Sequence, residues 1–234
     1  MKGKKILITG ALVGSLMLVG YGIETKTVNN LQGNKNIEQK EDVVTLHYDI
    51  TKEILEVTEK NTQIFYPQIK DDSGGLLTDY GNQSLKRTVD IYASQDAYRD
   101  VHMGYEVTKM DENILSVVFK GTGKVGDDDG NIKIQHSINL DMASSLNEIT
   151  YDNFIKDDEI SQKEVKKILD DIAKKKGITG GIQAEGMRLY FKGDHVIFYY
   201  MPLDDGIKEF VELSVPVEAL EGYIHTDLGE ASAS

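Results

Sequence analysis

Residues 105–140 read YEVTKMDENILSVVFKGTGKVGDDDGNIKIQHSINL, and this stretch decides the fold class. Residues 105–109 and 114–120 are rich in β-branched and aromatic side chains, and Asp111-Glu112-Asn113 joins them. Residues 121–131 form a Gly- and Asp-rich turn. Ile132, Ile134, His136, Ile138 and Leu140 then alternate with Lys133, Gln135, Ser137 and Asn139. Period two marks a strand with one face turned to a core. Three adjacent strands with short connections predict an antiparallel meander with one wet face.

The flanking segments extend this pattern. Val44, Leu46, Tyr48 and Ile50 alternate with polar neighbours, and Thr51-Lys52-Glu53 separates them from a second β-rich run through Ile54, Val57, Ile64 and Tyr66. That run is expected to stop at Pro67, which cannot donate to a sheet ladder. A loop, Asp71-Asp72-Ser73-Gly74-Gly75, precedes a helix over residues 77–93, with Leu85, Val89 and Tyr92 on one face. Ser161-Gln162-Lys163-Glu164 has the form of a capping box that starts a second helix. Val165, Ile168, Leu169 and Ile172 follow at helical spacing; Lys174-Lys175-Lys176 suits the negative end of the dipole, and Gly177 ends the helix. Met187, Leu189 and Phe191 lead through Lys192-Gly193-Asp194 to Val196, Phe198 and Tyr200, a hairpin. A strand over 210–215 closes at Pro216, and a short helix is expected over 218–223. Strands, helix, three strands, helix, three strands predict an α+β fold with antiparallel sheets and a few packed helices. Two small subdomains are expected, residues 43–145 and 146–225, meeting near 142–150.

Outside that folded part, the composition changes. Lys2, Lys4 and Lys5 precede eighteen uncharged residues, Ile6 to Ile23, which close on Leu18-Val19-Gly20-Tyr21-Gly22. Residues 1–23 therefore read as an export signal or membrane anchor. Leu-Val-Gly also precedes the lipid-carrying cysteine of bacterial lipoproteins; Tyr21 stands at that position, and the chain has no cysteine. Either Tyr21 replaces a cysteine, or the apolar run stays as a membrane span, or cleavage releases the protein. Residues 24–42 read as a flexible polar tether and 226–234 as a disordered tail. The expected location is extracytoplasmic, membrane-associated or secreted.

Charge and composition narrow the function. The net charge is −13, and without the three leading lysines 23 basic residues face 39 acidic ones, a net −16. Nucleic acid is a poor partner for such a surface, whereas a cationic protein or polymer is an allowed one. Without cysteine there are no disulfides, thiol nucleophiles or thiolate metal sites. His47, His102, His136, His195 and His225 include no pair at helical zinc spacing, and the histidines are read as solvated or locally bonded. Gly126-Asp127-Asp128-Asp129-Gly130-Asn131 fails the calcium-loop pattern, because aligning Gly130 to its glycine puts Val125 first and His136 last. Gly121-Thr122-Gly123 and Gly180-Gly181 lack a phosphate-loop lysine, and Ser144 and Ser145 lack a nucleophile elbow. Acidic pairs such as Asp157-Asp158 and Asp204-Asp205 are what 39 acids give by chance. No cofactor, metal or catalytic residue is expected. Tyr190, Phe191, Phe198, Tyr199 and Tyr200 crowd one hairpin. Most of these read as core, but alternation points Tyr199 away from Phe198 and Tyr200, so Tyr199 and Tyr190 are the candidate ligand-binding residues of an exposed aromatic face.

Several short motifs resemble a bacterial envelope domain pair. They are Phe65-Tyr66-Pro67-Gln68-Ile69, Tyr105-Glu106-Val107-Thr108 and Asn113-Ile114-Leu115-Ser116-Val117-Val118-Phe119. Ser137-Ile138-Asn139-Leu140-Asp141, Leu189-Tyr190-Phe191, Val196-Ile197-Phe198-Tyr199-Tyr200 and Val215-Pro216-Val217 continue the series. Their order is similar to that in the extracellular region of the lysozyme-sensing anti-sigma factor RsiV and in the region before the catalytic domain of the peptidoglycan deacetylase PdaC. The loops at 121–131 and 202–206 depart from the family pattern. The resemblance implies a non-enzymatic envelope binding module whose ligand is a lysozyme-like protein or a wall polymer. The alternatives are an enzyme acting on wall glycan and a structural envelope lipoprotein.

Overall fold

The computed structural model describes residues 48–71, 75–128, 130–143, 147–178, 182, 186–202 and 209–225. The leading segment with Tyr21, the tether, the tail, Val44 to His47, Ser144, Ser145, the Gly180-Gly181 pair and the Asp204-Asp205 pair lie outside the described residues. In chain order the elements are β1 (Tyr48–Val57), β2 (Thr62–Asp71), α1 (Leu76–Ser94), β3 (Tyr98–Met110), β4 (Ile114–Val125) and β5 (Ile132–Asp141). They continue with α2 (Tyr151–Phe154), α3 (Glu159–Lys175), β6 (Arg188–Lys192), β7 (His195–Tyr200) and β8 (Val211–Pro216). The α+β class stands.

Five strands form one sheet in sequence order β1-β2-β3-β4-β5, and β6-β7-β8 form a second. The first sheet is mixed rather than antiparallel throughout: β2 and β3, joined through α1, pair in parallel at Gln63–His102 and Ile64–Met103. Thr51-Lys52-Glu53 does not separate two strands but lies inside β1, and the hairpin turn falls at 58–61 within the expected second run, where Asn61 has φ +50°. Pro67 does not stop β2 either. The strand runs on to Asp71, with Pro67 opposite Lys52 of β1. Beyond Ile64 the second edge of β2 has left β3, and the Asn82 side chain of α1 takes over. It accepts from the Ile69 amide at 2.6 Å and donates to the Ile69 carbonyl at 2.9 Å, as a neighbouring strand would. Pro67 lies two residues away and so points its nitrogen toward the same unladdered side, where a missing donor costs nothing.

Paired residues share a face of a sheet. The β4–β5 register therefore puts Leu115, Val117 and Phe119 with Leu140, Ile138 and His136 on one face. Leu85, Val89 and Ala93 of α1 bury against that face. The glycines of β4 make the sheet possible. A bulge at Asp100, whose φ is +53°, pushes β3 toward β4. A Cβ on Gly121 would lie 2.2 Å from the His102 carbonyl oxygen.

A second core spans Ile149 to Ile224, with Val165, Leu169 and Ala173 of α3 against Leu189, Phe191, Val196, Phe198 and Leu213. Helix α3 starts two residues before the expected box. Asp158 is the N-cap, accepting from the Ser161 amide at 2.9 Å and from its hydroxyl at 2.7 Å. The reciprocal box instead occurs at Thr150 and Asn153 of α2. At the other end Gly177, with φ +75°, permits the bonds Ile178 N to Ala173 O and Gly177 N to Lys174 O, each 3.0 Å. The β6–β7 turn has Gly193 at φ +60°, the first position of a type II′ hairpin. The short final helix is a 3-10 turn at Val217–Leu220. The described residues fall in one unit that contains both cores.

Candidate functional site

The face of the large sheet expected to be wet is where the small sheet docks. Ser116, Ser137 and Asn139 are buried there. The outer edge of β6 stands on this face, and its two backbone groups need partners. Ser137 donates to the Leu189 carbonyl at 2.6 Å, Asn139 donates to the same carbonyl at 3.0 Å, and the Ser116 hydroxyl accepts from the Phe191 amide at 3.0 Å. Asn139 also donates to Ile149 O at 3.0 Å and accepts from Ser116 at 2.7 Å. Three side chains thus replace a missing strand.

Tyr190 and Tyr199 lie in this junction, which corrects the expected exposed aromatic face. Tyr190 is 4% exposed and Tyr199 0%. With Val118 and Ile197 they form a small apolar cluster, and Phe210 packs on it. The Tyr199 hydroxyl donates to Ser137 at 2.9 Å, and burial pushes its pKa up to about 12. Alternation did point Tyr199 away from the α3 core. What it points into is the other sheet, so neither tyrosine offers a surface to a partner.

Two clefts border the junction, each of about 310 Å³. The first is lined by Lys120, Lys133, Gln135, Glu209, Phe210 and Glu212. Lys120 and Gln135 donate to Glu212 at 2.9 and 2.8 Å, and Lys133 pairs with Glu209. Burial raises the pKa of Glu212, but those hydrogen bonds outweigh it and hold the carboxyl below its ordinary value. This cleft is a seam of ion pairs between the sheets.

The second cleft lies at the β5 edge, with His136, Glu148, Thr150, Asp152 and Arg188 among its lining. His136 is half-buried and locally bonded. It shares the helix-side face with Ile138, where burial and then the Arg188 charge push its pKa down to about 4. Arg188 Nη1 contacts His136 Nε2 at 2.7 Å, and a guanidinium can only donate. Nε2 is therefore the acceptor, the proton sits on Nδ1, and Nδ1–H donates to the Tyr92 hydroxyl at 3.2 Å. Both ring nitrogens are engaged, and a neutral imidazole of such low basicity is a weak proton acceptor near neutrality. Burial raises the pKa of Glu148, while Arg188 and Arg87 pull it down. The cleft thus mixes cationic, anionic and hydrogen-bonding groups that can hold a small polar ligand. Sequence reading missed this cluster, although His136 stands in the apolar phase between Ile134 and Ile138.

The remaining candidates are local. The turn expected over 121–131 is shorter, because β4 runs on to Val125; beyond it Asp128 accepts from the Gly130 amide at 2.8 Å, and Arg99 donates to the Gly126 and Asp128 carbonyls. His195 contacts Asp194 at 2.6 Å, and that contact lowers the carboxyl pKa. His102 is exposed, and the His225 amide donates to Phe154 O at 2.9 Å. Among the described residues no three His, Asp or Glu side chains are grouped to hold a metal ion. Among them also, no helix is long and apolar enough to cross a membrane.

No family model matches this chain, and no curated protein matches it. Solved structures do. A DUF3298 family protein from Pseudomonas aeruginosa PAO1 superposes with a TM-score of 0.50 at 10% identity, covering 77% of this chain and 94% of that one. A DUF3298 family member from Bacteroides fragilis NCTC 9343 gives a TM-score of 0.49 at 16% identity, over 80% and 97%. At 10% identity the first likeness establishes a shared fold with a DUF3298 protein, over nearly the whole of that protein's length.

Proposed function

We propose that this chain is a non-enzymatic, extracytoplasmic binding module of the cell envelope, and that its partner is a cationic protein of the lysozyme type. The observation that carries the reading is the display of charge. Asp49, Glu53, Glu56 and Glu59 stand exposed along β1 and its turn. Asp157 and Glu159 do so at the entry to α3, and Glu218 and Glu221 at the end of the fold. Many lysines, by contrast, are engaged locally: Lys86 with Asp90, Lys120 with Glu212, Lys124 with Asp100 and Lys192 with Glu106. An outward field of one sign steers a partner of the other. The resemblance of residues 43–220 to the lysozyme-sensing extracellular region supports the same partner. The leading basic and apolar segment supports export, with the module held at the membrane or released beside it.

Calorimetric titration with lysozyme at low and at moderate salt tests this. Binding that weakens steeply as salt rises is expected, because the Debye length shortens. No heat and no retention on immobilised lysozyme at low salt would remove that ligand. Retention on purified wall material in its place would move the proposal to a wall polymer. Mass spectrometry of the mature N-terminus reads the export proposal directly.

A further inference from the structure

Arg188 opens β6 in the small sheet, and His136 lies in β5 of the large one. They meet at 2.7 Å, and Tyr92 of α1 completes a line across three elements. The guanidinium has no lone pair to offer, so the contact exists only while His136 Nε2 carries one. We propose that Tyr92, His136 and Arg188 form a proton-operated clasp that ties the start of β6 to the β5 edge while His136 is neutral and releases it when His136 is protonated.

The groups facing the imidazole agree with this. Arg188 comes from β6 and Tyr92 from α1, with the Tyr98 ring edge-on to Tyr92 at 5.1 Å. Glu148, which bridges to Leu140 of β5 and is itself acted on by Arg87 of α1, and Asp152 of α2 line the same cleft. Burial makes Glu148 lose its charge at a higher pH than an ordinary carboxylate. The anion that would offset an imidazolium beside Arg188 thus fades as acid is added. Release is local. The grip of Ser116, Ser137 and Asn139 on Leu189 and Phe191 holds no titratable side chain and persists. The β5-edge cleft widens while the two sheets stay joined.

The two titrations have opposite signs in stability. His136 is depressed in the fold, so its contribution is complete above the ordinary value of 6.5 and is lost as pH falls toward about 4. Glu148 is raised, so its contribution is present at low pH and is lost as pH rises through its folded pKa. Only a comparison with a variant separates them. His136→Gln keeps an acceptor for Arg188 that cannot be protonated.

The experiment is an NMR titration of the full chain. In the wild type the His136 ring is expected to titrate near 4, with the backbone amides of Ser137, Ile149 and Arg188 moving at the same midpoint. The Val196 and Leu213 amides in the small-sheet core stay still. In His136→Gln the coupled movement disappears, and in Arg188→Gln the His136 midpoint rises toward 6.5. A wild-type midpoint near 6.5 overturns the clasp. So does a midpoint near 4 with the Ile149 and Arg188 amides unmoved. If His136→Gln does not fold, an unmoved His136 midpoint in Arg188→Gln overturns it as well.

Discussion

The cores and the junction hold this protein by different physics. Both cores place one helix on one sheet face and are built from aliphatic and aromatic side chains, α1 on the large sheet and α3 on the small one. Burial of this kind is non-directional and tolerates exchange among shapes of similar volume. The junction has a small apolar cluster of its own, but it adds two serines, an asparagine and a tyrosine hydroxyl, each aimed at a particular backbone atom or partner. Apolar packing sets how strongly each half folds. The polar junction sets where the second sheet sits on the first, because a shift along the strand would leave buried donors and acceptors unmet.

The comparison can be broken most strongly at Asn139. Asn139→Ala strands Ile149 O and the Ser116 O–H donor and leaves Leu189 O with only its bond from Ser137, and should cost about 4 kcal/mol in denaturant unfolding. A double-mutant cycle with Ser116→Ala should show coupling above roughly 1 kcal/mol, and simple additivity would mean that the junction is no network. Leu169→Ala, the matching deletion in the α3 core, should cost about 3 kcal/mol through lost burial and a cavity. Its effect should add to that of Asn139→Ala. The pH dependence comes next. Between 6.5 and about 4, wild type should lose roughly 2 kcal/mol relative to His136→Gln, after discounting the partly solvated ring. Stability curves that stay parallel across that window would show that His136 is not held neutral by the fold. Tyr199→Phe is the mildest. The ring stays buried and Ser137 keeps its bond to Leu189 O, so the loss should be about 1 kcal/mol. Its lysozyme titration should match the wild type, since Tyr199 is buried in the seam; weakened binding would restore that residue to a contact role.

Local signals were legible where the determining interactions are themselves local. Gly177 ends α3 as read, since a left-handed C′ position favours glycine whatever the surroundings. The helix over 77–93 is off by one residue at each end. The start of α3 was misplaced because Asp158 and Ser161 both carry capping groups, and Ser161 turned its hydroxyl toward Asp158. Pro67 misled because the rule against proline in ladders depends on which edge is paired. That edge is occupied by Asn82, thirteen residues beyond the Ile69 that it binds. Gly121 and Gly123 read as part of a Gly- and Asp-rich turn and are instead strand residues that give the clearance the β3 bulge requires.

By itself, the sequence determined that the chain is α+β, where the two long helices, the central meander and the aromatic hairpin lie, and that two apolar phases run through that hairpin. Periodicity and turn chemistry are properties of a few consecutive residues, so one chain is enough to read them. Only the tertiary structure decided what the second phase faces. Ser137, Asn139 and Tyr199 carry the pattern of a solvated face, yet they are buried against another sheet. A polar side chain is equally satisfied by water and by a backbone group from fifty residues away, and its identity does not distinguish them.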